Sequence, residues 1–269
     1  MPIANAHGTG IYYEVHGEGP AVLFCHGAGS NAATWWQQVP EFSRHFTCIV
    51  YDHRCFVRAA APQAAFRPEH FVGDALAVLD AAGCERAALV CQSLGGVTGL
   101  RLALAHPGRV SAFVSCDSPL AIDHPQMNAN ILHFLASVPA SEIENRALSA
   151  AFIDRNRELA FLYAQVNQFN PMAYATEGLE EWKRRLNGLF EGDHLVKTQA
   201  LAHIACPTLF VLGAQDRAVT PDVVRELAGM VPRSEVLQIE GAGHSPYFEQ
   251  PAVFNRHVLG FLARALNHR

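Results

Sequence analysis

Short unbroken apolar runs alternate with stretches of helical periodicity along the first part of the chain. The runs Ala21–Cys25, Phe46–Tyr51, Ala87–Cys91 and Val110–Cys116 carry no polar alternation. That is the mark of strands covered on both faces, the condition of a parallel sheet. Between the second and third runs, Phe71, Val72, Ala75, Leu76, Leu79 and Ala82 recur at helical spacing before Gly83. The spacing predicts a helix from Pro68 to Ala82. A second helix runs from Leu94 towards His106-Pro107, and Ile11–Val15, after the turn-like Asn5–Gly8, reads as one arm of a hairpin. Strands separated by helices, each ending on a polar or glycine-rich turn, specify an α/β fold with a parallel sheet.

The rhythm breaks from about Leu120 to Ala200, where helical stretches such as Glu142–Asn156 and Glu177–Leu189 replace any strand pattern. Strand-like runs resume at Pro207–Gly213 and Ser234–Ile239, and an amphipathic helix covers Pro251–Ala265. The expected organisation is a core from residues 1–119 and 201–269, interrupted by a helical insertion at 120–200 that forms a cap. The 269 residues suit one large domain of this kind.

Composition narrows the function. The chain is 50% apolar and 17% charged with a net charge of −5, and no Lys/Arg cluster makes a basic face, so nucleic acid is not an expected partner. No apolar run approaches the roughly 20 residues of a membrane span. The N-terminus lacks the basic start and apolar core of a signal peptide, so a cytoplasmic location is expected. The seven cysteines form no C-x-x-C pair and several lie within strand runs. They read as buried reduced thiols rather than disulfides or metal ligands.

The chemistry centres on Val90–Gly96. A strand that turns into a helix at a lone Ser93 forces that residue into a tight conformation and lifts its hydroxyl over the sheet edge. A serine hydroxyl needs a base, and the base needs an orienting group. Of fourteen histidines, His244 stands apart: it sits in the glycine-rich loop Glu240–Pro246, just past the last strand run, where doubly wound sheets place their sites. Asp216 occupies the equivalent loop after the preceding strand. Asp117 or Asp123, in the loop after the strand before that, compete with it for the imidazole. Ser93 itself has a simpler reading as a helix cap, and Cys91 a remote one as an alternative nucleophile.

The segments His26–Gly29, Tyr51–Arg54, Gln92–Gly96, Gly213–Asp216 and Gly243-His244 together resemble α/β-hydrolase-fold serine hydrolases with a helical cap, close to carboxylesterases and lactonases. The resemblance implies a mostly parallel eight-stranded sheet flanked by helices. It assigns the nucleophile to Ser93, the general acid/base to His244 and the orienting acid to Asp216. It also gives the oxyanion hole to the backbone N–H groups of Ala28 and Leu94. Two departures stand out. Cys91 occupies an elbow position where relatives have Gly, and Arg54–Arg58 lacks two glycines, which implies a different backbone path for that loop.

The expected reaction is hydrolysis of a small or medium apolar ester or lactone through an acyl-enzyme, by a monomer or homodimer. Trp35, Phe134 and Phe161 are the expected pocket residues, with Trp36, Phe152, Tyr163 and Phe169 as further aromatic candidates. No metal or organic cofactor is expected, since no H-E-x-x-H, post-strand G-x-G-x-x-G or P-loop is present. Carbon–carbon hydrolysis and cofactor-free perhydrolysis use the same residues, although carbon–carbon hydrolases tend to carry Trp where Ser245 stands. A non-catalytic receptor on this fold is the rival from another class.

Overall fold

A computed structural model describes residues 1–137, 142–168 and 178–267. Its centre is an eight-stranded sheet built from β1 (Ile3–Ala6), β2 (Thr9–His16), β3 (Ala21–Cys25), β4 (Thr47–Tyr51), β5 (Ala87–Gln92) and β6 (Val110–Cys116). After two short strands, β7 (Ile122–Asp123) and β8 (Val196–Lys197), the sheet is completed by β9 (Thr208–Gly213) and β10 (Ser234–Ile239). The order across it is β1-β2-β4-β3-β5-β6-β9-β10. β2 runs antiparallel to both β1 and β4, and the remaining pairs are parallel. The β1–β2 turn places His7 and Gly8 both at positive φ, the twist that a two-residue hairpin requires.

The strands at the centre, β5, β6 and β9, are buried at every position, which is why their apolar runs are unbroken. On one face the sheet packs against α2 (Pro68–Ala81) and α3 (Leu94–Ala105), around Leu23, Leu89, Val97 and Phe113. The other face is covered by Trp35, by Phe42 of the short helix α1 (Val39–Phe42), and by the C-terminal helix Pro251–Asn267 through Phe254, Val258 and Phe261. Pro68 starts α2 at a position where a missing N–H costs nothing.

Between β6 and β9 lie α4 (Pro125–Ser137), α5 (Ile143–Ala147), α6 (Ala150–Arg155), α7 (Arg157–Gln168) and a helix at Leu179–Gly188. This stretch is not free of strands, as the sequence pattern had implied. β7 and β8 pair in parallel, Ile122 with Val196 and Asp123 with Lys197, which ties the start of this stretch to its end. Two residues per strand are too few to produce a periodic signal.

The Arg54–Arg58 loop holds unusual backbone conformations without glycine. Cys55 and Val57 sit at φ +69° and +22°, in the left-handed region that glycine adopts most readily. Burial explains how: Cys55 and Phe56 are buried, and the neighbouring Arg54 pairs with buried Asp74, Nε to Oδ2 at 2.9 Å. Val57 carries a conformational cost there, because a β-branched side chain is poorly suited to positive φ.

Candidate active site

β5 passes into α3 through Ser93, whose backbone is held at φ +49° and ψ −113°. Its N–H donates to the Cys116 carbonyl at 2.9 Å, and its own carbonyl accepts from Ser118 Oγ at 2.6 Å. The Ser93 hydroxyl makes no cap bond to α3, which removes the helix-cap reading. A Cβ at Gly95 would collide with the Cys25 carbonyl, and one at Gly96 with Ser118 Oγ. Both glycines are therefore fixed by close approach.

Cys91 fits because the helix makes room for it. A Cβ at Gly99 would lie 2.8 Å from Cys91 Sγ and 2.6 Å from Phe113 Cε2. Burial pushes the Cys91 thiol well above its ordinary range, so it is a packed thiol and not a nucleophile.

His244 is buried beside the elbow, with Nε2 3.0 Å from Ser93 Oγ and Nδ1 2.8 Å from Asp216 Oδ2. The ionised carboxylate accepts only, so Nδ1 carries the proton and Nε2 is left to accept from the serine hydroxyl. Burial alone would raise the Asp216 carboxyl. The charge and hydrogen bond of His244, a hydrogen bond from Asp117 and the Ala218 N–H outweigh it and hold that carboxyl below its usual range. Asp123 is turned away, bonded to Lys197 Nζ at 2.6 Å. Asp117 is buried next to Asp216, but its Oδ1 is taken by the Gly213 N–H at 3.0 Å.

The loop carrying His244 is tied at several points. Glu249 accepts the Gly243 N–H at 2.7 Å through Oε1, and accepts Ser149 Oγ and N through Oε2 at 2.5 and 3.2 Å. Gln92 Nε2 donates to the His244 carbonyl at 3.1 Å.

Ala28 and Leu94 line the same cavity as Ser93, and their N–H groups have no acceptor among the described residues. Leu94 is the first residue of α3, where the helix leaves its N–H groups unpaired and the dipole is positive. His26 fixes the opposite loop: its Nε2 accepts the His53 N–H at 2.9 Å, so Nδ1–H donates to the Gly27 carbonyl at 2.8 Å. Burial holds this imidazole neutral, with its pKa brought down to about 4.

A cavity opens over these groups between the sheet edge and the helical stretch. Phe134 lines it, with its ring 4.8 Å from that of His244, beside Ile131, Tyr163, Trp182 and Phe190. Two expected pocket residues are elsewhere. Trp35 is fully buried under the sheet against Phe24 and Tyr247, because its short helix turns it away from the strand ends. Phe161 is 67% exposed: α7 buries Ala160, Tyr163 and Ala164, and Phe161 falls on the opposite side of the helix. Trp36 is also exposed, Phe152 packs on Phe248, and Phe169 lies outside the described residues. The sequence reading missed Ile131, Trp182 and Phe190. Ile131, Phe134 and Leu135 at i, i+3, i+4 and Trp182 with Leu186 at i, i+4 were the available signal.

Asp117, Asp216 and His244 are also the group of His/Cys/Asp/Glu atoms among the described residues close enough to share a metal ion. Two of the three are already joined by a hydrogen bond, His244 Nδ1 to Asp216 Oδ2 at 2.8 Å, and Asp117 Oδ1 accepts the Gly213 N–H.

A family model described as the alpha/beta hydrolase fold matches residues 20–251. The chain belongs to the α/β-hydrolase fold family. Among curated relatives of this hydrolase, RutD of Azorhizobium caulinodans, which bears a provisional carbamate hydrolase name, is 27% identical over 275 residues, covering 97% of this chain and 98% of the relative. The enol-lactonase from Burkholderia xenovorans LB400 superposes with a TM-score of 0.82 at 24% identity, covering 97% of this chain and all of that one. Est816, described as an N-acyl homoserine lactone degrading enzyme, superposes at 0.80 with 28% identity and covers 97% and 100%. Among the described residues of the hydrolase no helix is long and apolar enough to cross a membrane.

Proposed function

We propose that this hydrolase cleaves a carboxylic ester or lactone of a small to medium apolar substrate through an acyl-enzyme, without metal or organic cofactor. The observation that carries the reading is the continuous relay from Asp216 through His244 to Ser93 Oγ at 2.8 and 3.0 Å, beneath a largely apolar cavity. His244 takes the Ser93 proton as Oγ attacks the carbonyl, and Asp216 steadies the imidazolium. The N–H groups of Ala28 and Leu94 bind the oxyanion, an interaction in which one donor is typically worth about 3 kcal/mol of barrier. His244 protonates the leaving alcohol and then activates the water that releases the acyl group. Residues 120–200 act as the cap that closes this space, and the cysteines, read as buried reduced thiols, suit an enzyme of the cytoplasm.

A carbamate is the second substrate class, supported by the name of relatives that match almost the whole chain. The same attack on a carbamoyl carbonyl serves it. The test is a fluorophosphonate probe together with p-nitrophenyl esters of rising chain length, a lactone series and a p-nitrophenyl carbamate. Wild type should label and turn over at least one class, and Ser93→Ala should do neither. A wild type inert towards all of them, or an active Ser93→Ala, refutes the reading.

A further inference from the structure

Asp117, immediately after β6, is buried with the acid that faces His244 and pinned in place. It sits at φ +43°. Its N–H donates to the Val211 carbonyl at 2.9 Å, its Oδ1 accepts the Gly213 N–H at 3.0 Å, and Cys116 Sγ lies 3.5 Å from its Oδ2. One polar side-chain atom from each of Asp117, Asp216 and His244 lies within 4.8 Å of the other two, so two buried carboxyl groups crowd one site.

Carboxylate oxygens only accept, so a hydrogen bond between two carboxyl groups requires a proton on one of them. The choice between the two follows from their partners. Asp216 accepts from His244 Nδ1 and from the Ala218 N–H at 2.7 Å, so it keeps the charge. The titratable groups facing Asp117 are Asp216 after β9, His244 after β10, Cys116 on its own strand and Tyr163 on α7, and none is a permanent cation. Burial, then the Asp216 charge and hydrogen bond, push the Asp117 carboxyl well above its ordinary range.

We propose that Asp117 is a positioning residue. It is a neutral carboxylic acid whose O–H aims the Asp216 carboxylate at His244, and it becomes the anion facing His244 when position 216 is neutralised. Through the reaction the pair keeps one proton and one negative charge, and the proton taken from Ser93 rests on His244. In Asp216→Asn, Asp117 releases its proton to solvent and the single charge moves to position 117. The proposal rests on the roles given above to Asp216 and His244, but the state of the carboxyl pair is measurable without turnover.

Carboxyl ¹³C NMR on aspartate-labelled protein tests it. In wild type one aspartate should remain protonated at pH 7, and its signal should vanish in Asp117→Asn. In Asp216→Asn that same carboxyl should ionise at least about one pH unit lower. Wild type with every aspartate ionised at pH 7 overturns the proposal. Asn at 117 tolerates positive φ, and its amide can both donate to Asp216 and accept from Gly213, so the fold should survive.

Kinetics on whichever substrate wild type cleaves give the second readout. Asp117→Asn should cost less than about threefold in kcat/KM in the wild-type background, and about tenfold or more in the Asp216→Asn background. Equal factors in both backgrounds, as a purely structural Asp117 would give, also overturn it. If the double variant fails to fold, the NMR of the single variants decides. If wild type cleaves nothing, the hydrolase reading fails while the carboxyl signal still settles Asp117.

Discussion

Gly99→Ala separates close packing behind the elbow from ordinary helix propensity. In an open helix interior this substitution stabilises by about 1 kcal/mol. Here the added methyl would lie 2.6 Å from Phe113 Cε2 and 2.8 Å from Cys91 Sγ, against an optimum of roughly 3.5–4.0 Å. Both neighbours are fully buried on central strands β6 and β5, so neither can retreat without moving the sheet. Overpacking of this sort costs about 1–3 kcal/mol, which offsets the propensity gain and leaves a net loss of up to about 2 kcal/mol. For a chain of this size that lowers Tm by up to roughly 8 °C. Cys91→Gly removes one of the two clashes. The double variant should therefore be about 1 kcal/mol more stable than the sum of the single changes, with the Phe113 contact preventing full recovery. Urea unfolding of the four proteins at constant m-value provides the cycle. A higher midpoint for Gly99→Ala, or strict additivity with Cys91→Gly, refutes the packing argument.

Three further outcomes follow from other contacts. Val57→Gly should stabilise by about 1 kcal/mol by relieving a β-branched residue at φ +22°, and a lower Tm would contradict this. Glu249→Gln leaves one acceptor oxygen for donors that now use two, from Gly243 on one side and Ser149 on the other. It should cost about 2 kcal/mol and lower kcat by loosening the loop that carries His244; unchanged unfolding and kinetics would refute the tether. Acid should destabilise the fold through His26, whose pKa is about 4 when buried against an ordinary value of 6.5. Between those values the unfolded chain binds the proton and the folded one does not. Its contribution is complete above pH 6.5 and is lost as pH falls towards 4, by up to about 3 kcal/mol. Buried His53, also held well below its ordinary range, acts in the same direction. Urea midpoints across this range should show the slope, and an undiminished slope in His26→Gln would refute its assignment to His26.

The sheet was legible because strands covered on both faces leave unbroken apolar runs. The meeting of Ser93, Asp216 and His244 was legible for a related reason. Parallel strands put their C-terminal ends on one edge, so residues just past β5, β9 and β10 must gather there whatever lies between them. Orientation around a helix was less legible. α7 carries Phe161 and Tyr163 two residues apart, and only packing decides that Tyr163 turns inward while Phe161 meets solvent. The positive φ values of the Cys55–Val57 loop were not legible, because residues other than glycine hold them there among buried neighbours. The competition between Asp117 and Asp216 shows where one-dimensional pattern ends. β6 and β9 are adjacent, so both acids reach the same edge, and residue type and spacing leave them equivalent. The distinction lies in hydrogen bonds across the strand pair. Asp117 is bound at its N–H by Val211 and at Oδ1 by Gly213, which turns it back along β9, while Asp216, one loop further, points its free oxygen at Nδ1 of His244. On the proposal above, two similar carboxyls thereby acquire different protonation states: each accepts one backbone N–H, and only Asp216 also accepts from the His244 imidazole.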